Sequence, residues 1–183
     1  MSKYISFKTG LEVFVDNKHY DFNLNMANII STQSKDQGTK VGCVVTDNNY
    51  VIISTGYNGP NRSADDSEYN FSREPKKYFF YREYKHLGLT DTFFMVKKNP
   101  YMIHAEMNAI VNCTNRNAMK DSIVFVTHYC CTNCLNTLIQ AGVKRIVVDN
   151  KAHSAFQETL SELIFLVENS RLHDDFLLIR MEE

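Results

Sequence analysis

The second half of the sequence alternates between helix-like and strand-like segments, and this order restricts the chain to a small group of folds. Helical spacing of apolar residues alternates with short apolar runs from residue 104 onwards. The order is a helix at 104–113, a strand at 122–127, a helix at 131–141, a strand at 144–148, a helix at 155–167 and a strand at 176–179. Such alternation predicts parallel strands joined by right-handed crossovers, with helices on both faces of the sheet.

The first half adds a helix and a hairpin to this pattern. Apolar residues recur at helical spacing over 22–30, and this helix is expected to end before Gly38. Two β-rich runs, 41–46 and 50–54, flank a polar turn, which predicts an antiparallel hairpin. The chain is therefore predicted to be one α/β domain over 1–183, with three α/β/α layers and a central mixed sheet of five strands.

The composition fits a single globular domain and excludes several classes of protein. Hydrophobic residues make up 44% and charged residues 22% of the 183 residues, close to globular averages. The formal net charge of −1 argues against a general nucleic-acid binder, which needs a strongly basic face. No apolar stretch approaches the roughly 20 residues that span a bilayer, and the N-terminal segment lacks a signal-peptide core. We therefore expect a cytoplasmic protein with neither a membrane nor a nucleic-acid partner.

Three of the five cysteines lie within five positions, at Cys130, Cys131 and Cys134. This clustering is poor for a disulfide framework and typical of a metal site. Cys131 and Cys134 are three residues apart at a predicted helix start, where they share one face and where the helix end favours thiolates. With His104, at the start of the preceding helix, they supply three ligands. A tetrahedral zinc ion would keep one open position, as in catalytic zinc sites.

Glu106 follows His104 by two residues, so its carboxylate is expected to lie beside the metal without binding it. A carboxylate in that place can accept a proton from water activated by zinc and pass it to a ring nitrogen and a leaving amine. This is the logic of hydrolytic deamination at C4 of cytosine or C6 of adenine. A Cys-x-x-Cys alone also fits a redox pair or half of a structural zinc ribbon, but the two motifs on successive helices favour the catalytic site.

These motifs resemble those of the cytidine deaminase superfamily, in which His-x-Glu is followed by Pro-Cys-x-x-Cys. Further segments are similar to deoxycytidylate (dCMP) deaminases, namely 40–45 (KVGCVV), 55–59 (TGYNG), 104–110 (HAEMNAI) and 138–144 (LIQAGVK). The resemblance covers about residues 21–150 with the last helix and strand. The element Tyr57-Asn58-Gly59 discriminates best, because every branch shares the zinc motifs.

The resemblance implies a zinc-dependent hydrolase that converts dCMP to dUMP and ammonia, supplying dUMP for thymidylate synthesis. The implied site residues are the zinc ligands His104, Cys131 and Cys134, the catalytic Glu106, and the substrate-binding residues Ser34, Thr39, Asn58 and Ala105. Among these, Asn58 would hydrogen-bond the sugar or the base.

The resemblance also implies assembly and regulation. Such enzymes are usually homo-oligomers, so we expect a dimer or a hexamer. They are often regulated by dCTP and dTTP, and Mg²⁺ would accompany the regulatory nucleotide. Ser63, Asp65 and Asp66 fall where some relatives hold that nucleotide.

The chain departs from the family pattern at three positions. Cys130 stands where the family has proline, which removes a preference for starting a helix but no ligand. Gln33 stands where an arginine is common, which weakens the case for a phosphate contact there. Val148 replaces an aromatic residue at the end of the fourth predicted strand, so one wall of the base pocket is expected to differ.

Residues 60–103 are predicted to be a lid or an insertion. They are rich in Phe, Tyr, Lys and Arg and show little periodicity. A stacking platform for single-stranded nucleic acid has this mixture of residues. Interleaved acidic residues oppose that reading, so a lid over the site or an oligomer contact is favoured.

Three other functions remain open from the sequence. The first is a related deaminase that acts on a C5-modified dCMP or on a free nucleoside. A polynucleotide deaminase acting on transfer RNA or single-stranded DNA is the second, opposed by Tyr57-Asn58-Gly59 and the near-neutral charge. A non-catalytic binding protein is the third, opposed by the intact zinc and glutamate motifs.

Overall fold

The described strands form one six-stranded sheet and a separate two-stranded ribbon. A computed structural model describes residues 2–67, 69–72, 74–79, 93–96, 99–149 and 156–181. In chain order its strands and α-helices are β1 (Lys3–Ser6), α1 (Asn17–Ser31), β2 (Gly42–Thr46), β3 (Ile52–Tyr57), β4 (Lys76–Phe79), β5 (Phe93–Val96), α2 (Ala105–Asn112), β6 (Ile123–Val126), α3 (Thr132–Gln140), β7 (Arg145–Asp149), α4 (Phe156–Asn169) and β8 (Leu177–Met181).

The large sheet is mixed, with the strand order β1-β8-β7-β6-β2-β3. Strands β6, β7 and β8 are parallel, whereas β1 with β8, β2 with β6 and β2 with β3 are antiparallel. The predicted α/β class, mixed sheet and hairpin are therefore confirmed. The predicted count of five strands is wrong, because β1 adds a sixth strand beside β8. Its four residues bury Tyr4 and Ser6 on one face and pack the partly buried Ile5 on the other, too short an alternation to identify a strand from sequence.

Helices cover both faces of this sheet because its strands alternate their side chains between two cores. Val44, Phe125 and Val147 point to one face and pack with Tyr20, Leu24 and Ala27 of α1. Their strand neighbours Cys43, Val45, Val124, Val126, Ile146 and Val148 point to the other face and pack with residues of α2, α3 and α4. The three-layer arrangement follows from this period of two. Within the described ranges, no helix is long and apolar enough to cross a membrane.

Helix α1 begins five residues before the predicted 22–30. The Asp16 side chain caps it by accepting the His19 N–H, and Tyr20 in its first turn is buried in the core. The added residues, 17–21, are mostly polar, so apolar spacing does not mark them. The predicted start of α4 at residue 155 lies outside the described residues.

Helix α2 is held against β3 by a close backbone approach and by three side chains. A Cβ at Gly56 would lie 2.2 Å from the Ala105 carbonyl oxygen, so the helix seats where β3 has no side chain. The Ser54 hydroxyl donates to the Ala109 carbonyl at 2.6 Å. The Asn108 and Asn112 amides donate to the carbonyls of Tyr57 and Thr55, both at 2.8 Å. These contacts place the first turn of α2 beside the end of β3.

Gly56→Ala is expected to destabilise the fold and displace α2. The new Cβ would meet backbone atoms at 2.2 and 2.4 Å, which no side-chain movement relieves. Overpacking of this kind costs about 1–3 kcal/mol or more, and a displacement of about 1 Å at a reactive site costs on the order of 10²-fold in rate. Thermal unfolding measures the first effect. The matched control is Gly59→Ala, where the nearest atom, in the Tyr57 ring, is 3.9 Å away. Equal melting temperatures for the two variants would contradict this packing.

Candidate metal centre and active site

The starts of α2 and α3 bring one imidazole and two thiols together. His104 is the N-cap of α2, Cys131 is the N-cap of α3, and Cys134 lies in the first turn of α3. The potential ligand atoms of the three residues all lie within 4.8 Å of one another. This is the group that the sequence predicts from the two motifs.

The spacing of these atoms fits a tetrahedral zinc ion. The Nδ1 atom of His104 lies 3.4 Å from the Cys131 sulfur and 3.5 Å from the Cys134 sulfur. Zinc bonds of about 2.3 Å to sulfur and about 2.0–2.1 Å to nitrogen, at the tetrahedral angle, separate the two ligand atoms by about 3.5 Å. Nitrogen and thiolate ligands are also the set that zinc prefers. The three side chains therefore suit zinc in both geometry and chemistry, and they leave a fourth position open.

The two thiols differ in their readiness to ionise. A hydrogen bond from Cys134, supported by His104, lowers the pKa of the Cys131 thiol to about 4. The same bond to Cys131 and then burial raise the pKa of Cys134. The contact with Cys131 also raises the pKa of His104. The hydrogen bond between the two sulfurs therefore favours a thiolate at one of them, which is the form that binds a metal.

Glu106 lies buried next to this group. It belongs to the first turn of α2 and is 3% exposed. Burial is the main cause that raises the pKa of its carboxyl group. The neighbouring Cys130 thiol, itself buried, forms a hydrogen bond with Glu106, and burial raises the pKa of Cys130. The carboxylate is thus sheltered from bulk water beside the three ligands, a place suited to proton transfer.

Three of the expected substrate residues meet in one hydrogen-bonded loop. The Ser34 hydroxyl donates to the Asn58 carbonyl at 2.8 Å, and the Asn58 amide donates to the Thr39 carbonyl at 2.9 Å. The Asn58 side-chain oxygen accepts the Val41 N–H at 2.8 Å. Sequence reasoning missed Asp36, which is buried in the middle of this loop. No periodic pattern in the sequence marks it, because it lies in neither a helix nor a strand.

A backbone bridge joins this loop to the metal-ligand group. Gly59 and Ile103 exchange two hydrogen bonds, of 3.0 and 2.7 Å. Asn58 precedes Gly59 and His104 follows Ile103, so the two predicted groups become neighbours. Ala105, the fourth expected substrate residue, begins α2 with its side chain fully buried in the core.

A separate cavity of about 360 Å³ lies beside the same turn. It is lined by polar and charged residues from three segments, none of them a zinc-ligand candidate or Glu106. These include Lys35 and Asp66, which form an ion pair, and Arg62, which hydrogen-bonds Asn112 of α2. Ser63 and Asp65 lie between the lining residues Arg62 and Asp66 along the chain. Residues 68, 73, 80–92 and 97–98 of the expected lid lie outside the described residues.

Comparison with known proteins decides the family. The cytidine and deoxycytidylate deaminase zinc-binding region matches residues 17–150. The chain belongs to this family. The match contains all three ligand candidates and Glu106, and it covers most of the residues that build the two cores.

Curated proteins similar to this chain are named as deoxycytidylate deaminases. A probable deoxycytidylate deaminase of Caenorhabditis elegans is 36% identical over 143 residues, which are 76% of this chain and 61% of the worm protein. The human deoxycytidylate deaminase is 30% identical over 148 residues, which are 79% of this chain and 72% of the human protein. The chain therefore matches under two thirds of the worm protein's length.

A solved structure shares the fold. The dCMP deaminase of the cyanophage S-TIM5, solved with dCMP and dUMP, superposes with a TM-score of 0.55 and 24% sequence identity. The superposition covers 82% of this chain and 95% of the phage chain. This similarity confirms the cytidine-deaminase-like fold.

Proposed function

We propose that this protein deaminates dCMP hydrolytically, producing dUMP for thymidylate synthesis and ammonia. The observation that carries the proposal is the His104, Cys131 and Cys134 cluster with the buried Glu106 beside it. Family membership and relatives named deoxycytidylate deaminase support it. The phage neighbour's complex with dCMP and dUMP is consistent with a nucleotide monophosphate as substrate.

In this proposal His104, Cys131 and Cys134 hold a catalytic zinc ion. When bound, zinc supplies Lewis acidity that activates water at neutral pH. The protein's contribution is to present one nitrogen and two sulfur ligands from two helix starts and to leave the fourth position free. Both helices pack on the sheet, which holds in place the backbone that carries these ligands.

Glu106 is proposed to be the catalytic acid and base. Its carboxylate accepts a proton from the attacking water and delivers it to N3 of the cytosine ring. It then takes the second proton from the hydroxyl now bonded to C4 and passes it to the C4 amine, whose bond to C4 breaks so that it leaves as ammonia. Burial favours this exchange, because a raised carboxyl pKa makes Glu106 a better base towards water and lets it hold a proton between steps.

Ser34, Thr39, Asn58 and Ala105 are proposed to form the substrate-binding side of the site. The Gly59–Ile103 bridge supports this placement, because it brings the loop that contains the first three residues next to His104. Ala105 offers its backbone, since its side chain is buried in the core.

The 5′-phosphate is expected to be essential for good turnover. Each charge-assisted hydrogen bond to an anion contributes roughly 1.5–3 kcal/mol, so losing two contacts lowers kcat/KM by about 10²–10⁴-fold. Ammonia release should therefore be rapid with dCMP and slow with deoxycytidine. The same panel includes CMP, dCTP, 5-methyl-dCMP and a short single-stranded DNA. If deoxycytidine or a cytosine within DNA is as good a substrate as dCMP, the proposal is wrong.

Regulation by nucleotides is proposed for the separate cavity. Its volume of about 360 Å³ and its lining by Lys35, Arg62 and Asp66 suit a nucleotide with phosphates and a bridging Mg²⁺. The regulators would be dCTP and dTTP. We further propose a cytoplasmic homo-oligomer, a dimer or a hexamer, in line with the family resemblance.

The expected kinetic signature is opposite effects of the two triphosphates. With Mg²⁺ present, dCTP should raise the rate at low dCMP and dTTP should lower it, because each would bind one of two conformations preferentially. Initial rates against dCMP concentration, with and without each triphosphate, measure this. Hyperbolic curves that neither triphosphate changes would remove the regulation and leave the deaminase activity standing.

A further inference from the structure

Asp36 is a buried carboxylate that none of the roles above uses. It is 4% exposed and lies on the loop between α1 and β2. Its Oδ1 atom accepts the Gly38 N–H at 2.6 Å and the Thr39 N–H at 3.1 Å. Its Oδ2 atom accepts a hydrogen from the Asn58 amide at 3.2 Å. One side chain therefore binds the loop backbone and a residue 22 positions away.

The partners of Asp36 are bonded to one another as well. The Asn58 amide also donates to the Thr39 carbonyl, and its oxygen accepts the Val41 N–H. The Ser34 hydroxyl accepts the Asp36 N–H at 3.2 Å and donates to the Asn58 carbonyl. Both donor hydrogens of the Asn58 side chain are thus used within the protein, so what the side chain has left for a substrate is the second lone pair of its oxygen. The direction in which Asn58 points is set by Asp36 and the loop.

This arrangement matters because residues 36–41 lie in neither a helix nor a strand. Among the described residues, only two backbone hydrogen bonds join it to other segments, from the Gln37 N–H to the Phe71 carbonyl and from the Asn58 N–H to the Val41 carbonyl, both 3.1 Å. Side-chain contacts therefore supply much of what holds it in one conformation. Ordering such a segment at the moment of binding weakens affinity, whereas a loop that is already fixed avoids that loss. A buried carboxylate is well suited to hold the loop in one conformation, because backbone N–H groups bind a charged acceptor more strongly than a neutral one.

We propose that Asp36 is a positioning residue for the substrate, acting through Thr39 and Asn58. It fixes the 36–41 loop against the turn at the end of β3, next to His104. The inference rests on the proposed function, since Thr39 and Asn58 are the residues assigned there to dCMP. Asp36 itself has no role in the proton transfers or in binding zinc.

Asp36→Asn is the sharpest test, because it keeps the shape and changes one acceptor into a donor. Whichever way the new amide turns, its NH₂ group faces either the Asn58 NH₂ or the backbone N–H groups of Gly38 and Thr39. Losing a charged hydrogen bond of about 1.5–3 kcal/mol corresponds to about 10- to 100-fold. We expect KM for dCMP to rise by this factor, kcat to fall less than about tenfold, and zinc content to stay unchanged. A role in stability alone would lower the melting temperature and leave KM unchanged.

The matched control is Asp47→Asn. The Asp47 carboxylate also accepts two backbone N–H groups, from Asn49 at 2.8 Å and Val51 at 2.9 Å, but in the exposed turn of the β2–β3 hairpin. Its KM for dCMP should equal that of the wild-type protein. Ser34→Ala removes a further hydrogen bond between the two segments, so it should speed hydrogen exchange of the 36–41 peptide in the same direction, and it serves if Asp36→Asn does not fold.

Hydrogen–deuterium exchange provides a readout independent of activity. A peptide covering 36–41 should exchange at least about tenfold faster in Asp36→Asn than in the wild type, and be unchanged in Asp47→Asn. Unchanged exchange, or an unchanged KM in a folded variant, overturns the proposal. If the wild-type chain does not deaminate dCMP, the proposed function is wrong. The exchange result then decides by itself whether Asp36 orders the loop.

Discussion

Glu106→Gln is expected to abolish nearly all dCMP turnover while the protein keeps its fold and its zinc. The amide has the shape of the carboxylate but cannot accept a proton at neutral pH. General acid–base groups contribute about 10²–10⁴-fold, and Glu106 is proposed to take part in more than one transfer, so the loss should reach at least that range. Single-turnover and steady-state rates of ammonia release measure it, with zinc content determined on the same sample.

The control for this variant is a carboxylate near the same helices that has no proposed role. Glu162 of α4 accepts the Thr132 hydroxyl at 2.8 Å in the first turn of α3, and it is exposed. Glu162→Gln should retain wild-type rates. A Glu106→Gln protein that keeps more than a few per cent of the wild-type rate would show that another group moves the protons.

Much of the fold was predictable because its signals are local and periodic. Short uninterrupted apolar runs identify β2, β6 and β7. Every predicted strand of the large sheet, and every predicted helix that packs on it, is present within a few residues. The ligand candidates were predictable for the same reason. Cys131 and Cys134 are neighbours on one helical turn, and His104 with Glu106 begins the preceding helix, so two short motifs describe the site although they lie 27 positions apart.

The parts that sequence reasoning missed depend on contacts between distant segments. Asp36 bonds to Asn58 across 22 positions, and no periodicity marks a carboxylate whose partners are backbone N–H groups. Sequence reasoning also missed the ion pair of Asp149 and Arg180, two buried residues on the neighbouring parallel strands β7 and β8 whose charged atoms are 2.8 Å apart. The pattern of residues along a strand does not show which charged side chains of two strands will meet. The pairing of β1 with β8 likewise follows from tertiary contact.

The insertion 60–103 was predictable only in part. Its aromatic and basic composition shows no alternation, yet residues Lys76–Phe79 and Phe93–Val96 pair as an antiparallel ribbon. Composition therefore predicted an unusual segment without predicting its strands. Its role as a lid stays a prediction.

The substitution that should remove the metal is Cys134→Ala. It deletes one of the two sulfur atoms that lie 3.4 and 3.5 Å from His104 Nδ1, as a tetrahedral zinc site requires, and the remaining two ligands leave an ion weakly held. Zinc measured by mass spectrometry should fall from about one per chain to nearly none. Deaminase activity should be lost with it, and the melting temperature should drop because metal binding adds to folding free energy.

Cys130→Ala is the matched control for this loss. Cys130 is the neighbouring buried thiol and contacts Glu106, but it lies outside the ligand group of His104, Cys131 and Cys134. Its removal should leave about one zinc per chain, since none of the three ligand atoms changes. Comparing the two variants separates a specific ligand from a general effect of losing a buried sulfur. Full zinc occupancy in Cys134→Ala, or loss of zinc in Cys130→Ala alone, would mean that the metal is bound by a different set of residues.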